Sequence, residues 1–178
     1  MKKVGKSGGK WGKKPYLCNR ILYKDVRMRF LGNIEAKTDA KGRAFLPAIF
    51  RKVLQASGEE NLVLRKDVFQ KCLVLYPESV WNGRLDMLKN QLRPWKPTHQ
   101  QMFRQFVSEA EVVNLDGNGR FLISKRLQKA ADIEQDIQFI GMDDTIEIWT
   151  PQNLKLTLKS EEDFGSEFEQ IMNCDANL

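Results

Sequence analysis

The segments TDAKGRAFLP at residues 38–47 and LDGNGRFLIS at 115–124 each carry Asp-x-x-Gly-Arg, and each runs on into a short apolar stretch. Asp39 and Asp116 stand 77 positions apart. An aspartate heading such a turn can accept from the backbone two residues on, and a glycine at its end supplies positive φ. A chain that repeats this device must build two tight turns of one kind, each followed at once by a strand. Whether that is coincidence or a duplicated unit depends on what surrounds them.

The flanking elements repeat in the same order. RFLGNIEAKT (29–38) partly alternates, as a half-buried strand does. DAKG turns, RAFL returns as a strand, and Pro47 fits the first position of a helix. Ile49, Phe50, Val53 and Leu54 give that helix an apolar face, and NLVLRK (61–66) and KCLVLYP (71–77) add two strands. In the second half, AEVVNL (110–115), DGNG and RFLI precede a helix that Ser124 can cap, with Leu127, Ala130 and Ala131 on its apolar side. DIQFIGM and TIEIWT follow as strands, and each half then opens a helix, PESVWNGRL at 77–85 and PQNLKLTLK at 151–159. Agreement in element order and turn chemistry over about 45 residues marks an internal duplication.

Between the copies, Val80 to Val107 reads as two helices broken near RPWKP, because neither Pro94 nor Pro97 can donate a helical hydrogen bond. Trp81, Leu85, Leu88 and Leu92 follow helical spacing, and Met102, Phe103 and Phe106 form a second stripe. These stripes are expected to pack on the sheets or on a neighbouring subunit, and they imply no cofactor.

Charge is distributed unevenly along the chain. The net charge is +6, but residues 1–27 alone carry +8, residues 159–178 carry −5, and the middle is left at +3. The head is rich in Gly and Lys without periodicity and is expected to be disordered, and Met28 is an alternative start. It lacks the apolar core of a secretory signal, and no apolar run reaches the roughly 18–20 residues of a membrane span. Cys18, Cys72 and Cys174 are odd in number and far apart, which points to a reducing cytoplasm rather than a disulfide framework.

Signatures of catalysis are sparse. His99 is the single histidine, so no His-centred triad or two-His metal site can be assembled within one chain. GKS at 5–7 lacks the upstream glycine of a phosphate loop, and GNG at 117–119 continues no dinucleotide fingerprint. Asp39 and Asp116 read as turn formers rather than as a catalytic pair. What remains is an arginine at the same point of each copy, Arg43 and Arg120. Around them lie Lys37, Lys41, Arg51 and Lys52 in the first half, and Asn114, Asn118, Lys125, Arg126 and Lys129 in the second. A guanidinium can hold a guanine edge or grip phosphate. The plainer reading is that each arginine pairs with its own turn aspartate, and the two roles are compatible.

At these residues the sequence resembles the MraZ family of bacterial transcriptional regulators, whose repeats belong to the SpoVT/AbrB swapped-hairpin class. The resemblance is carried by MRFLG (28–32), DAKGRAFLP (39–47), CLVLYP (72–77), DGNGRFLIS (116–124) and IEIW (146–149), and spans roughly residues 28–155. It implies an α+β, mainly β fold. Two tandem AbrB-like half-domains, at 32–79 and 109–153, would form an intrachain strand-swapped pseudo-twofold barrel. A helical insert at 80–108 separates them, and a helix with an acidic tail follows at 154–178. It further implies a cytoplasmic, nucleoid-associated protein that assembles as a homo-oligomeric ring and binds double-stranded promoter DNA. On that reading it represses its own operon, in the division and cell-wall gene cluster, through short repeated sites. Carried over by residue, Arg43 and Arg120 lead the DNA contacts, with Lys41, Lys37 and Asn118 as companions. Asp39, Gly42, Asp116 and Gly119 organise the turns. No metal or other cofactor is implied. The second turn has Asn118 where the first has Lys41, so the halves are not expected to contribute equally. Two other functions fit the same residues. One is a module that holds a partner enzyme, with DNA binding incidental. The other is an antitoxin-like unit, which the duplication disfavours.

Overall fold

The computed structural model describes residues 28–174. The expectations for residues 1–27, and for the chain beyond 174, lie outside the described residues.

The first copy folds as β1 (Phe30–Lys37), β2 (Arg43–Phe45), α1 (Ala48–Ser57), β3 (Asn61–Lys66), β4 (Leu73–Pro77) and α2 (Glu78–Gln91). After α3 (Pro97–Ser108), the second copy runs β5 (Glu111–Asn114), β6 (Arg120–Leu122), α4 (Lys125–Ala130), β7 (Asp136–Asp143), β8 (Thr145–Trp149) and α5 (Pro151–Thr157), and α6 (Glu161–Cys174) ends the described chain. The element order read from the sequence is therefore repeated in three dimensions. Pro47 stands at the N-cap of α1, one place before the expected position, and its carbonyl accepts from the Arg51 N–H. Ser124 caps α4 as expected, its side chain accepting from the Leu127 N–H.

Eight strands form a six-stranded antiparallel sheet, ordered β1-β7-β8-β4-β3-β5, and a separate two-stranded ribbon of β2 and β6. Exchanging each strand for its counterpart in the other copy reverses this order and leaves it unchanged. β1 pairs with β7 as β5 pairs with β3, while β4 and β8 meet at the centre. The outer strand of each copy thus hydrogen-bonds to the other copy, so neither half of the sheet is complete alone. The sheet does not close. β1 and β5 remain as edges, because the chain after each enters a tight turn and its continuation, β2 or β6, leaves the sheet to pair in the ribbon. In place of the pseudo-twofold barrel implied by the resemblance, the described residues form an open sheet with a ribbon beside it.

One apolar cluster draws on both copies. Phe30, Leu46, Phe50 and Leu64 join Phe121, Ile123, Phe139 and Ile148 within it. Phe30 meets Phe50 edge-on at 5.7 Å and Phe121 meets Phe139 at 6.4 Å. Each fully buried ring contributes roughly 1.5–3 kcal/mol of hydrophobic stabilisation. In α1, Phe50 and Leu54 are buried, whereas Ile49 faces solvent.

The connector helices lie largely on the surface. Trp81 is the only buried residue of α2, stacked flat on Phe106 of α3 at 5.4 Å and leaning on Tyr76. α6 went unread in the sequence as a helix. Ser160 accepts from the Asp163 N–H at its start, and Glu161, Glu162 and Asp163 occupy its first turn, where negative charge complements the helix dipole.

Candidate nucleic-acid interface

The two turns are built alike to within about 0.1 Å. In the first, Asp39 Oδ1 accepts from the Lys41 and Arg43 N–H groups, both at 2.9 Å, and Oδ2 accepts from Arg43 Nε at 2.7 Å. In the second, Asp116 Oδ1 accepts from the Asn118 and Arg120 N–H groups, both at 2.9 Å, and Oδ2 from Arg120 Nε at 2.8 Å. Gly42 and Gly119 adopt φ of 81° and 79°, and each donates its N–H to the aspartate carbonyl at 2.8 Å. Glycine is demanded at both places because the left-handed region carries a Cβ penalty.

These donors hold the aspartates ionised. The Arg43 backbone N–H, followed by its guanidinium, lowers the Asp39 carboxyl from the ordinary 3.8 to about 2. The Asp116 carboxyl is lowered as well, chiefly by the Arg120 N–H.

The ribbon gives the turns their relation. Ala44 faces Phe121 at its centre, Arg43 faces Leu122, and Phe45 faces Arg120. Strand alternation sends Ala44 and Phe121 inward, where both are buried, and puts Arg43, Phe45, Arg120 and Leu122 on the outer face. Beyond the ribbon ends, Leu46 N–H donates to the Gly119 carbonyl at 3.0 Å and Ile123 N–H to that of Gly42 at 2.9 Å, so each turn is tied to the other copy. By strand geometry the two arginine Cα atoms lie on the order of 8 Å apart. Their side chains remain 34% and 25% exposed.

The plainer reading of the arginines, pairing with the turn aspartates, is what the structure contains. It leaves capacity unused. Asp39 engages Arg43 Nε and Nη2, out of the five N–H groups that a guanidinium carries. The bond therefore orients the side chain while its remaining donors stay available, which reduces the entropy lost on gripping a further acceptor. Lys41 and Asn118 are exposed at the turn tips. Lys37 is not at the ribbon: it ends β1 and bridges Asp136 at 3.1 Å. Arg126 is likewise engaged, by Glu111 at 2.8 Å.

Phe45 and Leu122 were missed in the sequence, although they sit two residues beyond the arginines at strand spacing. They are 56% and 53% exposed, an apolar pair between two cations. His99 belongs to the connector, where its Nδ1 accepts from the Arg93 N–H at 3.0 Å. One cleft of about 340 Å³ is lined by Asp132, Glu134, Asp136, Thr150 and Asn153 among others, an acidic lining unsuited to a polyanion. Among the described residues no helix is long and apolar enough to cross a membrane, and no three metal-ligating side chains converge.

A doubled, pseudo-twofold turn pair bearing half-exposed arginines defines a class of internally duplicated protein, and comparison with known proteins gives that class a family. Residues 106–172 match the family model described as "MraZ protein, putative antitoxin-like". Proteins named Transcriptional regulator MraZ are similar over most of their length. The one from Phocaeicola vulgatus is 60% identical, covering 85% of this chain and 98% of its own. That from Bacteroides thetaiotaomicron is 56% identical, over 82% and 94%, and that from Christiangramia forsetii 34%, over 83% and 96%. The chain belongs to the MraZ family.

Proposed function

We propose that this protein is a non-catalytic transcriptional regulator that binds double-stranded promoter DNA through the outer face of the β2–β6 ribbon. The observation that carries this reading is the pair of like-built turns presenting Arg43 and Arg120 side by side on one two-stranded ribbon. A two-stranded ribbon fits the major groove, where arginine donors meet the O6 and N7 acceptors of guanine. Lys41 and Asn118 at the tips supply backbone attraction and hydrogen bonding, with the lysine on one side only. The interleaved strand order supports assignment of the half-domains at 32–79 and 109–153 to the swapped-hairpin class. The names of the relatives support the regulatory role.

The regulated promoter is its own, in the division and cell-wall cluster, and the effect is repression from short repeated sites in the nucleoid. Assembly into a ring supplies what one chain lacks, because linked units engaging several repeats gain effective concentration. Lys37, already paired with Asp136, adds little net attraction and is the weakest of the companion contacts.

The test is the double substitution Arg43→Ala with Arg120→Ala, read by fluorescence anisotropy against DNA from upstream of the reading frame and a scrambled duplex. Loss of the preference for the native duplex with oligomeric state unchanged supports the reading; an undiminished preference rejects it. A second reading, a module that holds a partner protein, is favoured by the exposed Phe164, Phe168, Ile171 and Met172 of α6. It predicts that the same double variant keeps its partner complex.

A further inference from the structure

Arg51 of α1 does not serve its own copy. Its side chain lies across the second turn, with Nη1 2.5 Å and Cδ 2.6 Å from where a Cβ on Gly119 would stand. The residue 77 positions on, Gln128 of α4, lies in the same way across Gly42 of the first turn. The two differ in how they are satisfied. Gln128 donates to the Ile123 carbonyl at 2.6 Å. Arg51 Nε is buried without a hydrogen-bond partner, and among the described residues Arg51 enters no salt bridge. Only Nε is withdrawn from water, since Arg51 as a whole is half-buried; an N–H buried without an acceptor is costly, and a neutral amide at the equivalent place shows that packing there does not call for charge.

We propose that Arg51, held across the second turn, grips a DNA phosphate oxygen through its terminal Nη groups, so that the second turn is served by a guanidinium from each copy while the first has only its own. This rests on the DNA-binding reading above and extends it. It also balances the other asymmetry between the turns. The first carries Lys41 at its tip and a neutral Gln128 behind; the second carries a neutral Asn118 at its tip and Arg51 behind. Each turn therefore has one accessory cation, supplied from opposite sides, and the two half-sites grip the DNA backbone at different places. Arg51 is a phosphate-contacting residue, not a reader of bases.

The experiment compares the full chain with Arg51→Gln, which installs the residue of the other copy, and with Arg51→Lys. Anisotropy titrations use the upstream duplex and a scrambled duplex across about 50 to 200 mM salt. Arg51→Gln is expected to weaken both duplexes in equal proportion, about 5- to 10-fold, and to reduce the slope of log affinity against log salt by about 0.9 for each subunit engaged. Arg51→Lys should keep the slope, and thermal unfolding of Arg51→Gln should not fall. An unchanged slope in Arg51→Gln, or weakened binding accompanied by lowered thermal stability and an unchanged slope, overturns the inference in favour of a packing role. If the wild-type chain fails to prefer its upstream duplex over the scrambled one, the DNA reading and this inference fall together; if it does prefer it and Arg51→Gln matches it, only this inference falls.

Discussion

Arg120 stands opposite Phe45 across the ribbon, and its guanidinium carbon lies 5.6 Å from the centre of the phenyl ring. The same guanidinium is held by Asp116 of its own turn, so Arg120 is positioned by both copies at once. Arg43 faces Leu122, an aliphatic residue, at the equivalent place. Phe45→Leu should therefore make the two halves alike. We expect DNA affinity to fall several-fold while urea unfolding moves by less than about 1 kcal/mol, the scale of an exposed cation–π contact. Unaltered affinity would show that the ring does not position Arg120.

Acid should weaken the fold through the turn aspartates. The folded Asp39 carboxyl titrates near 2, below its ordinary 3.8, and that of Asp116 is shifted the same way. A depressed folded value contributes stability that is complete above the unfolded value and is lost as pH falls through the folded one. The melting temperature should be insensitive to these groups above about pH 5 and decline between about 4 and 2. The double variant Asp39→Asn with Asp116→Asn should start lower and decline less over that range. Parallel acid limbs in the two proteins would remove the aspartates as the cause.

Glycine substitutions should rank by what the new methyl meets. At Gly141 a Cβ would press on the backbone of Phe30 and Leu31 in the adjoining strand β1, which cannot yield without opening the sheet. At Gly42 it would meet the Gln128 amide and the Ile123 carbonyl, and at Gly119 only the Arg51 side chain. We expect Gly141→Ala and Gly42→Ala to cost about 2–4 kcal/mol and Gly119→Ala about 1–2 kcal/mol in urea unfolding. Adding Arg51→Ala should recover part of the Gly119→Ala loss, and strict additivity would contradict the contact.

The connector should report on Arg65. That residue is 3% exposed, bridges Glu109 at 3.5 Å and lies 4.1 Å from the Phe106 ring, which in turn stacks on Trp81. Arg65→Ala is expected to lose about 2–3 kcal/mol and to alter Trp81 fluorescence, whereas Arg65→Met should come close to neutral, since an apolar side chain of similar length needs no acceptor. Equal losses in both variants would mean that the charge itself holds the connector.

Cys72 is fully buried, and burial, reinforced by the nearby Glu147 carboxylate, pushes its thiol far above the usual range. It should resist a thiol reagent in the native protein and react fully in denaturant. Mass mapping of the labelled cysteine checks this, and labelling of Cys72 in the native state would show that the sheet opens at the start of β4.

Local chemistry was legible where one stretch of chain decides the outcome. An aspartate, a glycine three residues on and an arginine after it close a turn from their own donors and acceptors, so both turns, their strands and the Ser124 cap could be read directly. The doubling of the motif announced a twofold arrangement. Pairing between distant segments was another matter. That β1 seeks β7, and β5 seeks β3, follows from shared burial across both copies, and no local pattern carries it. The same holds for the open sheet, whose edges exist because the turns divert β2 and β6 into their own ribbon. The acidic α6 is exposed at every position from 161 to 173, so no apolar face buried in the core announces it, and its helical start rests on Ser160 and the charges that follow. Lys37 and Arg51 show the limit most plainly. Both looked like basic residues beside a turn, yet Lys37 is neutralised by Asp136 and Arg51 crosses to the other copy. A residue's type is written in the chain, but which charges cancel and which stay unpaired depends on neighbours that only packing brings together.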